Sequence, residues 1–494
     1  MNLLRYALIS VAVLSLSSNS LATDYYVDDS CDGSGIGTLA DPFCTIAQAA
    51  SLAGPGDTVY IKGGAYNEPL IPQKSGVAEA YITFTNYGDE TVTITGATMA
   101  PAIDISNRQY VIIDGLSIDY VRRWMYALNA HYNIIRNNHF SRAIDSGGSS
   151  KTGLFFQEAT YNKIINNTIE DSTQDNLALH KSDKNLIEGN KIYKAKHTLW
   201  AIKCGNYNVI RNNYFYNEWQ KIGEIYDCDG SGFDHQFDIL NSTKYNLVEN
   251  NTFAYVPSSG DSSPYSGIQY AGQNGIIRRN LFYDTVGPGL SLTLYSAEAT
   301  YNLHNRVYNN VFYETDFAGV EISGSTAYHF ADQVLKNNIL MRSIFVRNDM
   351  RWSWYIELAG KPVQILTGRL TDFVFDTNNI FGNQVGDSYT ITYGSRNSNS
   401  NPPQHPLSWW QENHPALFKD NIEINPQFVD SANHDFHLQE NSPMRDTGIF
   451  LTKTVGSGSG NLMHVEDAGY FYDGFGIPEE LGDLIQLDGQ TQQA

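Results

Sequence analysis

One phrase recurs along this chain and restricts its fold more than any other feature. It reads "YNIIRNNHF" at 132–140, "YNKIINNTI" at 161–169, "YNVIRNNYF" at 207–215, "YNLVENNTF" at 245–253 and "NGIIRRNLF" at 274–282. Aligned on its last Asn, the phrase predicts a column of Asn138, Asn167, Asn190, Asn213, Asn251, Asn280, Asn310, Asn338 and Asn379. Two residues on come Phe140, Ile169, Ile192, Phe215, Phe253, Phe282, Phe312, Leu340 and Phe381. The steps are 29, 23, 23, 38, 29, 30, 28 and 41 residues. A near-constant step that tolerates insertions marks a solenoid, each unit stacking on the next.

The units are rich in Ile, Val, Phe and Tyr, broken by Asn, Gly and Asp, and lack helical periodicity. Short strands with tight corners in a coil of about two dozen residues make a parallel β-helix. Asn suits the corner because it tolerates left-handed backbone, and its amide can bond to the same amide one coil away. "FCTIAQAASLAG" (43–54), with Ile46, Ala49, Ala50 and Leu52 apolar, is expected to be a helix capping the N-terminal end.

The opening segment "DYYVDDS…GTLADPFCTIAQAASLAGPGDTVYIKGGAYNE" resembles that of secreted right-handed parallel β-helix proteins, several polysaccharide lyase families among them. "INPQFVDSANHDFHLQENSPMRDTG" (424–448) resembles their closing segment. The resemblance implies an all-β, right-handed parallel β-helix over 23–450, with repeats at about 80–385 and an irregular, acidic C-terminal segment at 451–494. Lyases, hydrolases, epimerases and non-catalytic binders share this scaffold, so chemistry must be argued from a site.

Residues 1–22 read as a signal peptide, with Arg5, the apolar stretch "YALISVAVLSL" and a small residue at Ala22. A secreted or periplasmic protein without membrane insertion is expected. Four cysteines in an oxidising compartment predict two disulfides, Cys31 with Cys44 and Cys204 with Cys228. A net charge of −21 argues against nucleic acid as a partner. Residues 151–221 nevertheless hold ten Lys and Arg against seven Asp and Glu. That local excess of +3 favours an acidic polysaccharide substrate, bound by a monomer.

Ten residues before each column Asn stand Gln157, His180, Lys203, Asn241 and Tyr270, all polar or hydrogen-bonding. Their neighbours Phe156, Leu179, Ile202 and Leu240 are apolar, so strand alternation points the polar row outward. A second row, with Arg136, Glu188, Arg211, Glu249 and Arg278, mixes charges and reads as a surface charge ladder. The long step from Asn213 to Asn251 carries a loop, 217–238, with Glu224, Asp227, Asp229, Asp234, Trp219 and Tyr226. A Cys204–Cys228 disulfide would fasten that loop beside Lys203.

Two chemistries fit. In β-elimination from a polyuronate, Lys203 or His180 is the base, Tyr270 the acid, and Arg211 or Lys181 the carboxylate clamp. Asp227, Asp229 and Asp234 are the candidate Ca²⁺ ligands. Glycoside hydrolysis needs a carboxylate pair, Glu224 with Asp227 or Asp229 with Asp234, and Asp175 is a further candidate. Gln157, Asp175, Trp219, Tyr226 and Asn241 are expected to line the substrate groove. A non-catalytic carbohydrate-binding or structural β-helix is the third reading.

Overall fold

The computed structural model describes residues 22–489 apart from 32, 34, 146–152, 218–220, 227–242, 257–265, 286, 294–300, 316–317, 324–328, 343–360, 366–372, 383–390, 394–403 and 457–461. The signal-peptide reading (1–22) and Trp219, Asp227, Cys228, Asp229, Asp234 and Asn241 therefore lie outside the described residues or, for Ala22, at their edge. No described helix is long and apolar enough to cross a membrane.

Strands wind through three long sheets. Sheet 1 has 14 strands, from Asp24–Val27 to Phe418–Lys419. Sheet 2 has 12, from Gly64–Tyr66 to Asn379–Phe381. Sheet 3 has 12, from Ile103–Asp104 to the antiparallel edge Gln404–His405. From Ile103 on, the coils visit sheets 3, 1 and 2 in turn, and apart from the antiparallel edge their strands pair in parallel with those of neighbouring coils. This is the parallel β-helix expected from the repeat.

The corner between sheets 1 and 2 shows why the phrase carries two Asn. The first residue of the pair takes the left-handed backbone: Asn137, Asn166, Asn212, Asn250, Asn309 and Asn337 all have φ between 54° and 57°. The second turns its amide inward. Asn167 Nδ2 donates to Asn190 Oδ1 at 3.0 Å and to Ile135 O at 2.8 Å, and its backbone N–H donates to that same Oδ1 at 2.9 Å. The pattern repeats from Asn138 to Asn338 and continues through Asn378 to Asn421. The rung after Asn338 is thus Asn378, not Asn379, and the core residue beside it is Ile380 rather than Phe381. The 40-residue step from Asn338 had hidden a shift of one residue.

The "YN" that opens the phrase builds a second ladder, which the sequence reading missed. Asn133, Asn162, Asn185, Asn208 and Asn246 bond from rung to rung at 3.0–3.1 Å at the corner between sheets 3 and 1. The residue before each takes positive φ, as at Tyr132, Tyr161, Tyr207 and Tyr245. Inside, Phe215, Phe253, Phe282 and Phe312 stack with centroids 4.7–5.1 Å apart. Each buried aromatic side chain contributes roughly 1.5–3 kcal/mol of transfer free energy. Each ladder bond adds about 1 kcal/mol net, and many times that is at stake if a buried amide is orphaned along the whole column.

Helix Ile46–Leu52 starts on a Thr45–Gln48 capping box, and the carboxylate of Glu68 accepts from the N–H groups of Ile46 and Ala47. It buries Ile46, Ala49 and Ala50 against the first strands, while Leu52, expected on the apolar face, is exposed. Cys31 and Cys44 are bonded, with their Cα atoms 5.4 Å apart.

The acidic C-terminal segment is no free tail. Residues 462–489 return across the outer face of sheet 1. Tyr470, Tyr472 and Ile477 bury there with Leu186, Val209, Leu247, Ile276 and Tyr308. Glu479 meets Lys163 at 2.7 Å, Glu480 meets Arg211 at 2.6 Å, Asp483 meets Arg278 at 2.6 Å and Asp467 meets Arg306 at 2.8 Å.

Candidate functional site

Sheet 3 presents the row predicted from spacing, for three of its five members. Gln157 pairs with His180, and His180 with Lys203, in neighbouring parallel strands. Rungs lie about 4.8 Å apart. Phe156, Leu179 and Ile202 point into the core between them. His180 and Lys203 are each only 7% exposed. The ring of Phe155 meets the imidazole of His180 edge-on at 5.0 Å. The next partner of Lys203 is Tyr226, and the lysine amine sits 5.5 Å from the centre of that ring. A narrow cleft is lined by Gln157, His180, Lys181, Lys203 and Cys204, so Lys181 reaches the same place. Cys204 is disulfide-bonded; the one other cysteine outside the Cys31–Cys44 pair is Cys228.

Tyr270 does not belong to this row. Its partner is Ile225, which aligns with Ile202, so it points inward and is fully buried in the main core. The corner from Ala271 to Gly275 is one residue shorter than the corner from Lys203 to Asn208. Counting back ten from Asn280 therefore lands on the wrong face. Gly275 occupies the rung where other coils place the second-ladder Asn. A Cβ there would lie 1.7 Å from Tyr270 Oη, so the tyrosine hydroxyl fills the space of the missing amide. A core tyrosine cannot serve as the acid for an outer-face reaction.

Arg211 is also misplaced by the sequence reading. It lies on sheet 1, held by Glu188 at 2.9 Å and by Glu480 at 2.6 Å, and these carboxylates drive its guanidinium pKa further up against the opposing effect of burial. It is a fastening for the C-terminal segment, on another face from Lys203. The row does pair opposite charges from rung to rung, Arg136 with Asp114, Arg211 with Glu188 and Arg278 with Glu249, but Arg278 and Glu249 are buried and not on the surface, because the C-terminal segment covers them.

Glu224 is not in a loop. Strand Lys221–Tyr226 pairs with Thr198–Lys203, which places Glu224 opposite Ala201 on the outer face, 1% exposed. Its row continues through Gln269, Ser291 and Glu321, and Ser291 Oγ donates to Glu321 Oε2 at 2.6 Å. Sequence reasoning missed Ser291 and Glu321 because insertions separate them from any recognisable phrase. Just past His180, burial pushes the Asp183 carboxyl up, although the Asn206 N–H groups bonded to it oppose the shift. Asp175 lies at the opposite edge of sheet 3 from His180, bonded to His197 at 2.6 Å. It therefore does not share the Lys203 cleft. Trp200 is fully buried in the core.

A stack of parallel coils with a short amide-laddered corner and one polar outer sheet defines a class of protein. Residues 25–176 match the Pel9A-like right-handed β-helix region family, and residues 152–401 match the right-handed β-helix region family. The second match spans just over half of the chain, and the chain belongs to that family. The uncharacterized protein YwoF of Bacillus subtilis is 26% identical over 458 residues, 85% of this chain and 92% of that one. Pectate lyase PEL9 of Emericella nidulans is 28% identical over 162 residues, 29% of this chain and 38% of that enzyme. The catalytic unit of a GH87 α-1,3-glucanase from Streptomyces thermodiastaticus shares the fold, with a TM-score of 0.51 at 11% identity over 77% of this chain and 64% of that one.

Proposed function

We propose that this protein is an exported enzyme that cleaves a uronate-containing polysaccharide by β-elimination on the outer face of sheet 3. The observation that carries the reading is the placement of Lys203 beside His180 on consecutive rungs, both nearly enclosed, with Lys181 at the mouth of the same cleft. The match to a Pel9A-like family and the partial likeness to a pectate lyase support the substrate class. The Cys31–Cys44 disulfide supports export.

In this reading one of the two bases removes the proton on the carbon next to the sugar carboxylate. The C–H electron pair forms the new double bond, the glycosidic C–O bond breaks, and the leaving oxygen takes up a proton from the protonated base or from water. The surrounding cations offset the charge that develops on the carboxylate. Enclosure strengthens that attraction by excluding water. Asp227, Asp229 and Asp234 remain the proposed Ca²⁺ ligands. They lie outside the described residues, and among the described residues no group of three ligating side chains occurs.

Incubation with polygalacturonate or alginate tests the reading. Ultraviolet absorbance of an unsaturated uronide, lost in Lys203→Ala, is the expected result. New reducing ends without that absorbance would overturn elimination and favour hydrolysis with Glu224 as one carboxylate. Binding with neither product would leave a carbohydrate-binding module.

A further inference from the structure

A second constellation stands on the opposite edge of sheet 3, at the corner where the chain arrives from sheet 2. Val121, Ala143, Ser172 and Ala195 are register partners on four consecutive rungs. Just after them come Arg122 and Arg123, then Asp145, then Asp175, then His197. The outermost of these rungs are about 14 Å apart.

Each residue is held. Asp145, 4% exposed, takes Arg122 at 3.1 Å and also bonds to Arg123. Arg123 contacts the hydroxyl of Tyr126 as well. Thr173 donates to the carbonyl of Asp145, tying the second rung to the third. Asp175, with 6% of its side chain exposed, meets His197 Nδ1 at 2.6 Å, while 42% of the His197 side chain is exposed. A carboxylate only accepts, so Nδ1 carries the hydrogen and Nε2 is left as the ring's acceptor. Arg122 is half exposed, and one of its N–H donors reaches Asp145 among the described residues. Asp145 is shared by two guanidiniums, and Asp175 is taken up by His197.

This corner cannot share one bond-breaking event with Lys203. His197 and Lys203 bracket a single strand, about 20 Å apart along it, whereas the two groups that act on one glycosidic bond stand within about 10 Å.

We propose that Arg122 and His197 form a subsite for a carboxylate-bearing sugar unit. The Arg122 guanidinium takes the carboxylate, and His197 Nε2 accepts from a ring hydroxyl. Asp145 and Asp175 act as positioning residues. The choice of a uronate rests on the substrate class proposed above; the subsite itself rests on this corner alone.

Titration calorimetry of the full-length protein tests it, with tetragalacturonate, tetramannuronate and neutral cellotetraose as probes. One acidic probe is expected to bind, and cellotetraose to bind at least tenfold more weakly. Arg122→Gln and His197→Gln should each weaken the acidic probe by about tenfold, the scale of one charge-assisted hydrogen bond. Arg136→Ala, on sheet 1, serves as control. Failure of both acidic probes to bind, equal binding of cellotetraose, or unchanged affinity in both variants would overturn the subsite. If affinity were unchanged while Lys203→Ala abolished unsaturated product, the subsite would fall and elimination at Lys203 would stand. If affinity dropped while Lys203→Ala kept full turnover, the subsite would stand and the placement of the reaction at Lys203 would fall.

Discussion

Sheets 1 and 3 both display basic side chains at regular rung spacing, yet they do opposite things with them. On sheet 1, Lys163, Arg211, Arg278 and Arg306 are each met by an acid from residues 467–483, and aromatic rings seal the seam. On sheet 3, Lys203 lies over a tyrosine ring beside His180, and the cleft stays lined by Gln157 and Lys181. A row of cations in a β-helix therefore says little by itself. What distinguishes the two rows among the described residues is the C-terminal segment, which crosses sheet 1 and supplies its acids.

The largest expected effect breaks or upholds this contrast directly. Lys203→Ala should lower turnover on an acidic polysaccharide by a factor of about 10²–10⁴, the usual weight of a proton-transfer group. Arg211→Ala should leave turnover within about twofold. Equal losses in a paired kinetic assay would erase the distinction between the faces.

Next comes the seam itself. Arg278 is buried between Glu249 and Asp483, so Arg278→Ala strands two carboxylates and should cost about 3–5 kcal/mol in a denaturant titration. A loss below about 1 kcal/mol would mean that the C-terminal segment contributes little to sheet 1.

The corner ladder serves both faces alike and gives a smaller, evenly shared effect. Asn190→Ala removes an amide bonded to Asn213, Ile164 and Glu188, and should cost about 1–3 kcal/mol through the groups left unsatisfied. Chemical denaturation reads it.

The smallest effect is one of pH. Its hydrogen bond to Lys163 holds the Glu479 carboxyl below its ordinary value of 4.5. A depressed carboxyl stabilises the fold above that ordinary value, and the contribution fades as pH falls through the depressed one. Glu479 is largely exposed, so the gain is slight. Proteolysis within 462–489 should rise modestly on acidification below about pH 4 in the native protein, and by less in Glu479→Gln.

Where the sequence reading succeeded, the information was local and repeated. Asn138 to Asn338 could be aligned because each corner needs one left-handed residue and one inward amide. Gln157, His180 and Lys203 followed because three successive coils keep the same count. The reading failed where that count changed. A single residue dropped before Gly275 turned Tyr270 inward, and the long step after Asn338 moved the rung from Asn379 to Asn378. Nothing in a repeat announces such a slip, yet each one exchanges core for surface. His197 was invisible for a related reason: its partner Asp175 is one rung away, outside any shared phrase.

The amino-acid order alone determined the parallel coil, its rung spacing and its amide-lined corners, because these follow from backbone demands met within two dozen residues. Only the tertiary structure decided which polar row the C-terminal segment covers. Glu480 reaches Arg211 across 269 positions, and Asp483 reaches Arg278 across 205. Such pairings depend on where the chain returns in space, and charge attraction through a folded interior leaves no periodic trace in the sequence.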